Sequence, residues 1–591
     1  MRRHLNWSLL GVLALVLAAP VSAESPRGVA HPRFVRNIDT GQTGWFSSPG
    51  LVDLRGDRRL EIVAPFYSTF VFDAKGRRLG EGTATSGRVY APSVVADVDG
   101  DGSREIVVGG TEGTVAAYSL GPGGLRLKPG WPTSTCSGGQ CPETRGLAGA
   151  DLDRDGRVEV VATTTNTSRT GSQVFVFEGS GALYQPKGAP APAWPRFNTL
   201  SGPGGDAGFN GAGNHGYGAY GENVGIGNLD DDPQLEIVVT FDNHQINVFN
   251  HDGTSVLASP WYTNRQQDHL GRRLGWGQFI RWLDPRVEAD HYHRHAGPWP
   301  DVRRTPWLQW TASPPSVADL DRDGHNEVIG VPNVEKNEPY ETQAYAFMVL
   351  DGAQGRGKRS ARRHEGFERP PLSGKPALRP DGDWYPPSGI PAPTAVDIKG
   401  NRRPEIIASV PDGRVYALGP GGKRLWRYDY ARGAPKTFAS EVVAADLNRD
   451  AVPELVFGTY GPNPGAGRLI VLAASGRRLF NIRLRHQRDN ANGIGIAAAP
   501  SIADLNRDGR LEIVVSTIDH GIDVFRVPRS RANRRSWPTG RGSLLRGGVP
   551  GYAKLSGASQ VRFLACGHGS QGRSDRDGGD GGARRRCGQR R

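Results

Sequence analysis

The chain holds little that would let it span a membrane, bind a nucleic acid or use a familiar nucleotide-dependent or hydrolytic active site. After Leu9–Ala19, an apolar run of 11, no segment approaches the ~20 apolar residues that a spanning helix requires. The basic excess is local. Of 73 Lys and Arg and 60 Asp and Glu, 16 and 3 respectively fall in 526–591, which leaves 57 of each sign in 1–525. A body with no charge imbalance has nothing to recruit phosphates, so nucleic acid is excluded as a partner of the core. No G-x-S-x-G, P-loop, H-E-x-x-H or dinucleotide fingerprint is present. Cysteine is scarce, with 4 in 591 residues. Cys136 and Cys141 could close a small disulfide in a Gly-rich loop, free thiols being the alternative, and Cys566 with Cys587 is the other candidate pair. Long unpunctuated stretches are missing too. With 82 Gly and 44 Pro, about a fifth of the chain, long helices are excluded and an all-β chain with many tight turns is favoured.

Met1–Ala23 has the three parts of a secretory signal: Arg2 and Arg3, the apolar run, and Val21-Ser22-Ala23 before Glu24. The mature protein is therefore expected to be secreted, periplasmic or on the cell surface. At the other end, 546–591 reads as a basic Gly/Arg-rich disordered tail.

Between these ends the sequence repeats. Asp151-Leu-Asp-Arg-Asp-Gly-Arg-Val-Glu159 recurs from Asp97, Asp319 and Asp504, with looser copies from Asp53, Asn228, Asp397 and Asp446. In all eight copies the first residue and the Glu are eight apart. A Pro-Ser-Val/Ile-Ala type strand precedes the loop, as at Pro92–Ala96, Pro314–Ala318 and Pro500–Ala503, and a short β-branched strand, a Gly turn, an alternating strand and a further Gly turn follow. Each unit is thus expected to be four short strands. A lone four-stranded sheet cannot bury both faces, and radial stacking of such sheets solves the problem. The fold expected is an all-β β-propeller over 30–545 with an insertion at 261–311. It has eight blades, or seven as the alternative, and is closed by pairing Arg33–Ile38 into the last blade.

Alternate carboxylates on a tight loop can place oxygens around one hard cation. Gly at the sixth position permits the turn, and an all-oxygen donor set suits calcium rather than zinc or copper. An Asp-Gly turn with solvated carboxylates is the simpler account of one copy, but a plain turn does not need a Glu at a fixed distance. Six loops carry an oxygen side chain at the first, third, fifth and ninth positions. They are Asp97, Asp99, Asp101 and Glu105; Asp151, Asp153, Asp155 and Glu159; Asn228, Asp230, Asp232 and Glu236; Asp319, Asp321, Asp323 and Glu327; Asp446, Asn448, Asp450 and Glu454; and Asp504, Asn506, Asp508 and Glu512. These are expected to hold about six structural Ca²⁺ ions. In the first and sixth loops Arg55 and Lys399 stand at the third position, as internal cations in place of a metal.

These Asp-x-Asp-x-Asp-Gly-x-x-Glu loops resemble the FG-GAP/VCBS-repeat propellers, the type found in integrin α heads and in many exported bacterial proteins. Gly130-Trp-Pro-Thr133 and Ser536-Trp-Pro-Thr-Gly-Arg-Gly542 look like repeat-linked elements of the bacterial members, and the Phe-Gly and Gly-Ala-Pro signatures survive only as Phe457-Gly458 and Ala499-Pro500. The resemblance implies calcium in the loops and a surface used for adhesion or ligand binding. The reading preferred is a non-enzymatic calcium-stabilised module that binds an extracellular protein or glycan. The alternative is a polysaccharide-processing enzyme, because some rhamnogalacturonan-type lyases resemble the same eight-bladed plan.

Three further features invite a functional reading. The 261–311 block carries Trp276, Trp282, Trp299, Trp307 and Trp310, with Arg281 and Asp290, as candidate sugar-stacking residues or as a locally packed cap. His291, His293 and His295 alternate, so on a strand they would share one face; a solvated loop is the other reading. Ser201–Asn223 is a Gly-rich loop with Asn214, His215, Tyr217 and Tyr220. Arg55-Gly56-Asp57 matches an adhesion tripeptide, but it lies inside the first acidic loop, where Asp57 is wanted internally.

Overall fold

The computed structural model describes residues 28–168, 171–196, 218–230, 232–242, 245–256, 283–286, 306–310, 312–335, 344–352, 362–374, 391–434, 436–531 and 537–550. Apart from the helical pair Pro285 and Arg286, the regular elements among them are β-strands in small antiparallel sheets, and the protein is an all-β β-propeller. No helix among the described residues is long and apolar enough to cross a membrane.

Eight of the sheets carry one acidic loop each, always between the first and second strands. In the second sheet the order is Val94–Ala96, Glu105–Gly109, Thr114–Gly121 and Gly124–Leu127. Burial explains the residue choice. Glu105–Gly109 is buried throughout, on both faces, whereas Gly124–Leu127 is half-buried to exposed. Such a gradient arises when sheets stack on both faces near an axis and splay apart outside, so the second strands are continuous β-branched runs. Ile62, Val63, Ala64, Val160, Val161, Ala162, Ile513, Val514 and Val515 are fully buried in the same way. The first, sixth and eighth sheets have four strands; the second adds Thr133–Ser134 to make five, and the seventh adds Phe438–Ala439 and Ile494–Gly495 to make six. The third, fourth and fifth have three, and a bridged residue such as Leu183, Ser255 or Arg363 takes the place of the fourth.

Successive sheets are joined by side chains of their inner strands. Ser316 Oγ donates to Pro393 O at 2.6 Å, Thr394 Oγ1 to Val442 O at 2.5 Å, and Ser501 Oγ to Pro49 O at 2.6 Å. The last of these links the eighth sheet to the first. Arg33–Ile38 runs antiparallel to Gly521–Arg526, with Asn37 opposite Asp523, so the N-terminal strand does join the last sheet. Cys136 and Cys141 form a disulfide.

Two boundaries differ from those read in the sequence. Arg546 and Val549 are buried, so the fold runs past 545 and the segment ending at Pro550 belongs to the body. In the 261–311 block, Trp307–Gln309 is a strand paired with Asn333–Glu335, and Trp310 is 1% exposed within the main core rather than on a rim. Trp276, Trp282, Trp299, Arg281, Asp290 and the three histidines lie outside the described residues, as do Met1–Ala23, 201–217, Cys566 and Cys587.

Candidate metal centres in the eight acidic loops

All eight loops share one hydrogen-bonded frame. The first Asp accepts the amide of the sixth residue in seven of them, as Asp97 from Gly102 and Asp319 from Gly324. That sixth residue is left-handed, with φ of 66–97°, which is why Gly fills it most often; Arg58, Arg402 and Ala451 also adopt it. The fourth loop is the exception. Pro233 there has no N–H to give, and Asn228, replacing the usual Asp, instead donates from its amide to Asp232 O. The amide of the seventh residue bonds to the fifth side chain in every copy.

The Glu at the ninth position has a fixed task. In all eight loops its Oε2 accepts the backbone N–H of the second loop residue, at 2.5–3.1 Å. This bond needs no metal, so it accounts for the spacing of eight even in the first and sixth loops. What distinguishes the loops is the partner of the other oxygen, Oε1.

Four loops present a side-chain cation to it. Arg55 Nη2 lies 2.8 Å from Glu61 Oε1 and 3.2 Å from Asp57, and Lys399 Nζ lies 3.1 Å from Glu405 Oε1. These are the two cations that stand at the third loop position, and Arg55-Gly56-Asp57 is thereby committed internally. Two more come from elsewhere in the chain. Lys128 Nζ sits 2.5 Å from Asp99, 3.2 Å from Asp101 and 3.3 Å from Glu105 Oε1. Arg526 lies 2.9 Å from Asp508 and 3.0 Å from Glu512 Oε1. The loops at Asp97 and Asp504 therefore differ from the expectation of six equivalent loops. Burial opposes the Lys128 charge, yet Asp99, Glu105 and Asp101 together hold its pKa above the ordinary lysine value.

In the loops at Asp151, Asn228 and Asp446, the Glu meets no Lys or Arg among the described residues. Asp151, Asp153 and Glu159 bring ligand oxygens within 4.8 Å of one another, as do Asp230, Asp232 and Glu236. Glu236 is fully buried, and its Oε1 has no hydrogen-bond partner among the described residues. Burial, reinforced by the neighbouring carboxylates, pushes Glu159 and Glu454 up to about 8 and Glu236 up to about 9. In the loop at Asp446, Asn448 Nδ2 approaches Asp450 at 2.9 Å and Glu454 Oε1 at 3.4 Å.

The loop at Asp319 is intermediate. Asp319, Asp321 and Glu327 converge within 4.8 Å, and so do Glu327, Asp351 and His364. Burial pushes Glu327 up to about 8, with Asp321 and Asp319 adding to it and His364 opposing.

One position of the sheet selects among these states. Lys128 N bonds to Ala117 O, Tyr184 N to Val176 O, Val256 N to Val248 O and His364 N to Val349 O. Each acceptor lies opposite the residue two past the loop Glu, so the four donors occupy equivalent places in the second to fifth sheets. They offer an ammonium, a phenol whose hydroxyl reaches Asp153 at 2.9 Å, a buried isopropyl group and an imidazole. Sequence reasoning missed this position because it is fixed by strand pairing and not by spacing from the loop.

The oxygen-only donor sets at Asp151 and Asn228, each with a buried glutamate oxygen facing other carboxylates, fit a hard divalent cation and not a thiol- or imidazole-seeking one.

The family model of the FG-GAP-like repeat matches residues 97–162, the stretch that contains the second and third loops. No curated protein matches the chain. Among solved structures, BamB from Moraxella catarrhalis is 12% identical, covering 85% of this chain and 100% of that one, with a TM-score of 0.43. Sqt1 from Saccharomyces cerevisiae is 10% identical over 85% and 99% of the two chains, also at 0.43. BBS1N, solved in complex with ARL6DN, is 9% identical over 85% and 99%, at 0.39. Residues 97–162 thus match an FG-GAP-like repeat, within the β-propeller described above.

Proposed function

We propose that this chain is a calcium-braced, eight-bladed propeller that acts outside the cytoplasm as a non-catalytic binding module for a protein or glycan. The ring closes where Arg33–Ile38 pairs with Gly521–Arg526. Calcium occupies the loops at Asp151, Asn228, Asp319 and Asp446, narrowing the six expected from sequence to four. Arg55, Lys128, Lys399 and Arg526 do the same electrostatic work in the others. In the calcium loops the ion is held by Asp153 and Glu159, by Asp230 and Glu236, by Asp321 and Glu327, and by Asp450 and Glu454, with their loop partners. Bound there, calcium supplies only positive charge and bracing at the strand–strand corner.

The observation that carries this reading is the buried Glu236 Oε1, which faces Asp230 and Asp232 where Glu61, Glu105, Glu405 and Glu512 each meet a cation. An array of glycans and extracellular proteins, probed with and without chelator, tests the module. Calcium-dependent retention of a defined ligand class is expected. Cleavage of polyuronides, seen as ultraviolet absorbance of an unsaturated product, would overturn the non-catalytic reading.

A further inference from the structure

The inner strand of each propeller sheet has one edge with no neighbouring strand. Its N–H groups point at the axis, and a buried N–H without an acceptor costs free energy comparable to a lost hydrogen bond. In this protein the acceptors come from the chain's own C-terminal part. Ala444 N donates to Trp537 O at 2.8 Å, Ile502 N to Pro538 O at 2.9 Å, and Val95 N to Leu544 O at 3.0 Å. Gly149 N donates to Leu545 O at 2.7 Å, Ile226 N to Gly547 O and Val317 N to Gly548 O, both at 2.8 Å. All six donors are the residue two before the first residue of an acidic loop. The segment therefore passes the seventh, eighth, second, third, fourth and fifth sheets in turn, at one level. Where it passes the first sheet, a Cβ added to Gly50 would lie 3.5 Å from Leu544.

Its side chains are sequestered as well. Trp537 and Arg546 are 0% and Arg541 1% exposed. Arg541 Nη2 donates to both Val224 O and Pro315 O at 2.5 Å, tying the fourth sheet to the fifth. Arg546 Nε donates to Ser93 O at 2.9 Å, while its Nη1 bonds Thr539 Oγ1 and Gly540 O at 2.8 Å. Glu441 Oε1 receives both Trp537 Nε1, at 2.7 Å, and Arg541 N, at 2.8 Å. Glycine is required where the path is tightest: a Cβ on Gly540 would come within 2.3 Å of Ser48 Oγ, and one on Gly542 within 1.9 Å of Val549 O.

We propose that the central channel of this propeller is a peptide-binding site, built from the edge N–H groups of its inner strands, and that residues 537–550 are its ligand, bound in cis. The peptide class it takes is an extended Gly-containing chain that offers successive main-chain carbonyls, an apolar anchor at the Trp537 position and two arginines. Recognition is strand-edge addition bent into a circle, with affinity from the backbone and selectivity from the Trp and Arg contacts.

The test uses the full-length chain with a site-specific protease recognition sequence inserted at 532–536. After cutting, 537–591 is expected to co-elute with the propeller. A labelled synthetic peptide of residues 536–550 in excess is expected to exchange into the cut protein, and a scrambled peptide of the same composition is not. Arg541→Met with Arg546→Met in the cut chain is expected to speed release of the fragment at least ten-fold. Because that variant can fail to fold, the exchange of labelled peptide into the unsubstituted cut protein stands as an independent readout. Departure of the fragment on cutting with the unfolding midpoint unchanged, or equal uptake of the scrambled peptide, would overturn the proposal.

Discussion

The loops at Asp97 and Asp151 share Asp at the first, third and fifth positions, Gly at the sixth and Glu at the ninth, and lie in successive sheets, yet they solve one electrostatic problem differently. Each brings three acidic side chains within 4.8 Å of one another, Asp97, Asp99 and Asp101 in the first and Asp151, Asp153 and Glu159 in the second, and both tie Glu Oε2 to a backbone amide. In the first, Lys128 reaches in and touches Asp99, Asp101 and Glu105. In the second, the equivalent position is Tyr184, whose hydroxyl bonds Asp153 and brings no charge. The frame of the loop is the same with and without a side-chain cation, so under the proposed calcium reading a side chain and a metal ion are interchangeable within it. On that reading the repeat keeps its shape while losing calcium sites one at a time, through a substitution some 23 residues from the loop's Glu.

The broadest way to break the comparison is to remove calcium. At a calcium concentration of a hundred times Kd each site adds about 2.7 kcal/mol, so four sites add up to ~10 kcal/mol. Denaturant unfolding in chelator should show a loss of that order, restored by calcium, and no dependence on calcium would remove the metal from the account. Converting one class of loop into the other has the next largest effect. Lys128→Met leaves Glu105 buried beside Asp99 and Asp101, and breaking such a buried pair costs about 3–5 kcal/mol. The variant should be destabilised by that order in chelator and recover in calcium, with one more ion bound than the parent.

A titratable cation sharpens the same contrast outside the loops. His520 is enclosed by Asp519 at 2.8 Å and Asp523 at 3.2 Å; Asn37 also bonds Asp523, and Arg488 pairs with Asp39 close by. Burial opposes its charge, but the two carboxylates outweigh that and push it up to about 9, above an unfolded value near 6.5. Its contribution is therefore complete below about pH 6.5 and is lost as pH rises through 9. At 1.36 kcal/mol per pH unit it is on the order of 3 kcal/mol. His520→Gln should flatten the fall in stability between pH 7 and 10, and an unchanged slope would contradict this assignment.

The smallest expected effect is the most discriminating, because it differs in sign. In chelator Glu236, pushed up to about 9, must take up a proton when the chain folds at neutral pH; Glu236→Gln keeps the hydrogen-bond acceptor without that cost, so stability should rise by about 1 kcal/mol or more. Glu105→Gln removes the partner of Lys128 and should lower stability by about 1–3 kcal/mol with or without calcium. The two variants, followed by urea unfolding in parallel, separate the classes without any reference to ligand binding.

Much of this was legible in the sequence because it is local. The spacing of eight, the turn at the sixth position and the cations Arg55 and Lys399 all lie within nine residues of one another, and the strand rhythm around them gave the sheet order. The pairing of Arg33–Ile38 with the last sheet followed from counting strands. What was missed depends on register and long-range packing. Lys128, Arg526 and His364 reach their loops only through strand pairing, and nothing in their own neighbourhood marks them. Residues 546–550 read as tail because Gly and Arg are the residues of a disordered end. Here Gly gives the close approach and Arg bonds carbonyls of neighbouring sheets, an environment no local pattern announces.

The most direct test is a count of calcium ions on the full-length protein by native mass spectrometry, run beside Lys128→Met and Tyr184→Lys. Four ions are predicted on the parent, five on the first variant and three on the second. Two or fewer on the parent, or the same count on all three proteins, would contradict the interchange of side-chain cation and metal on which the account rests.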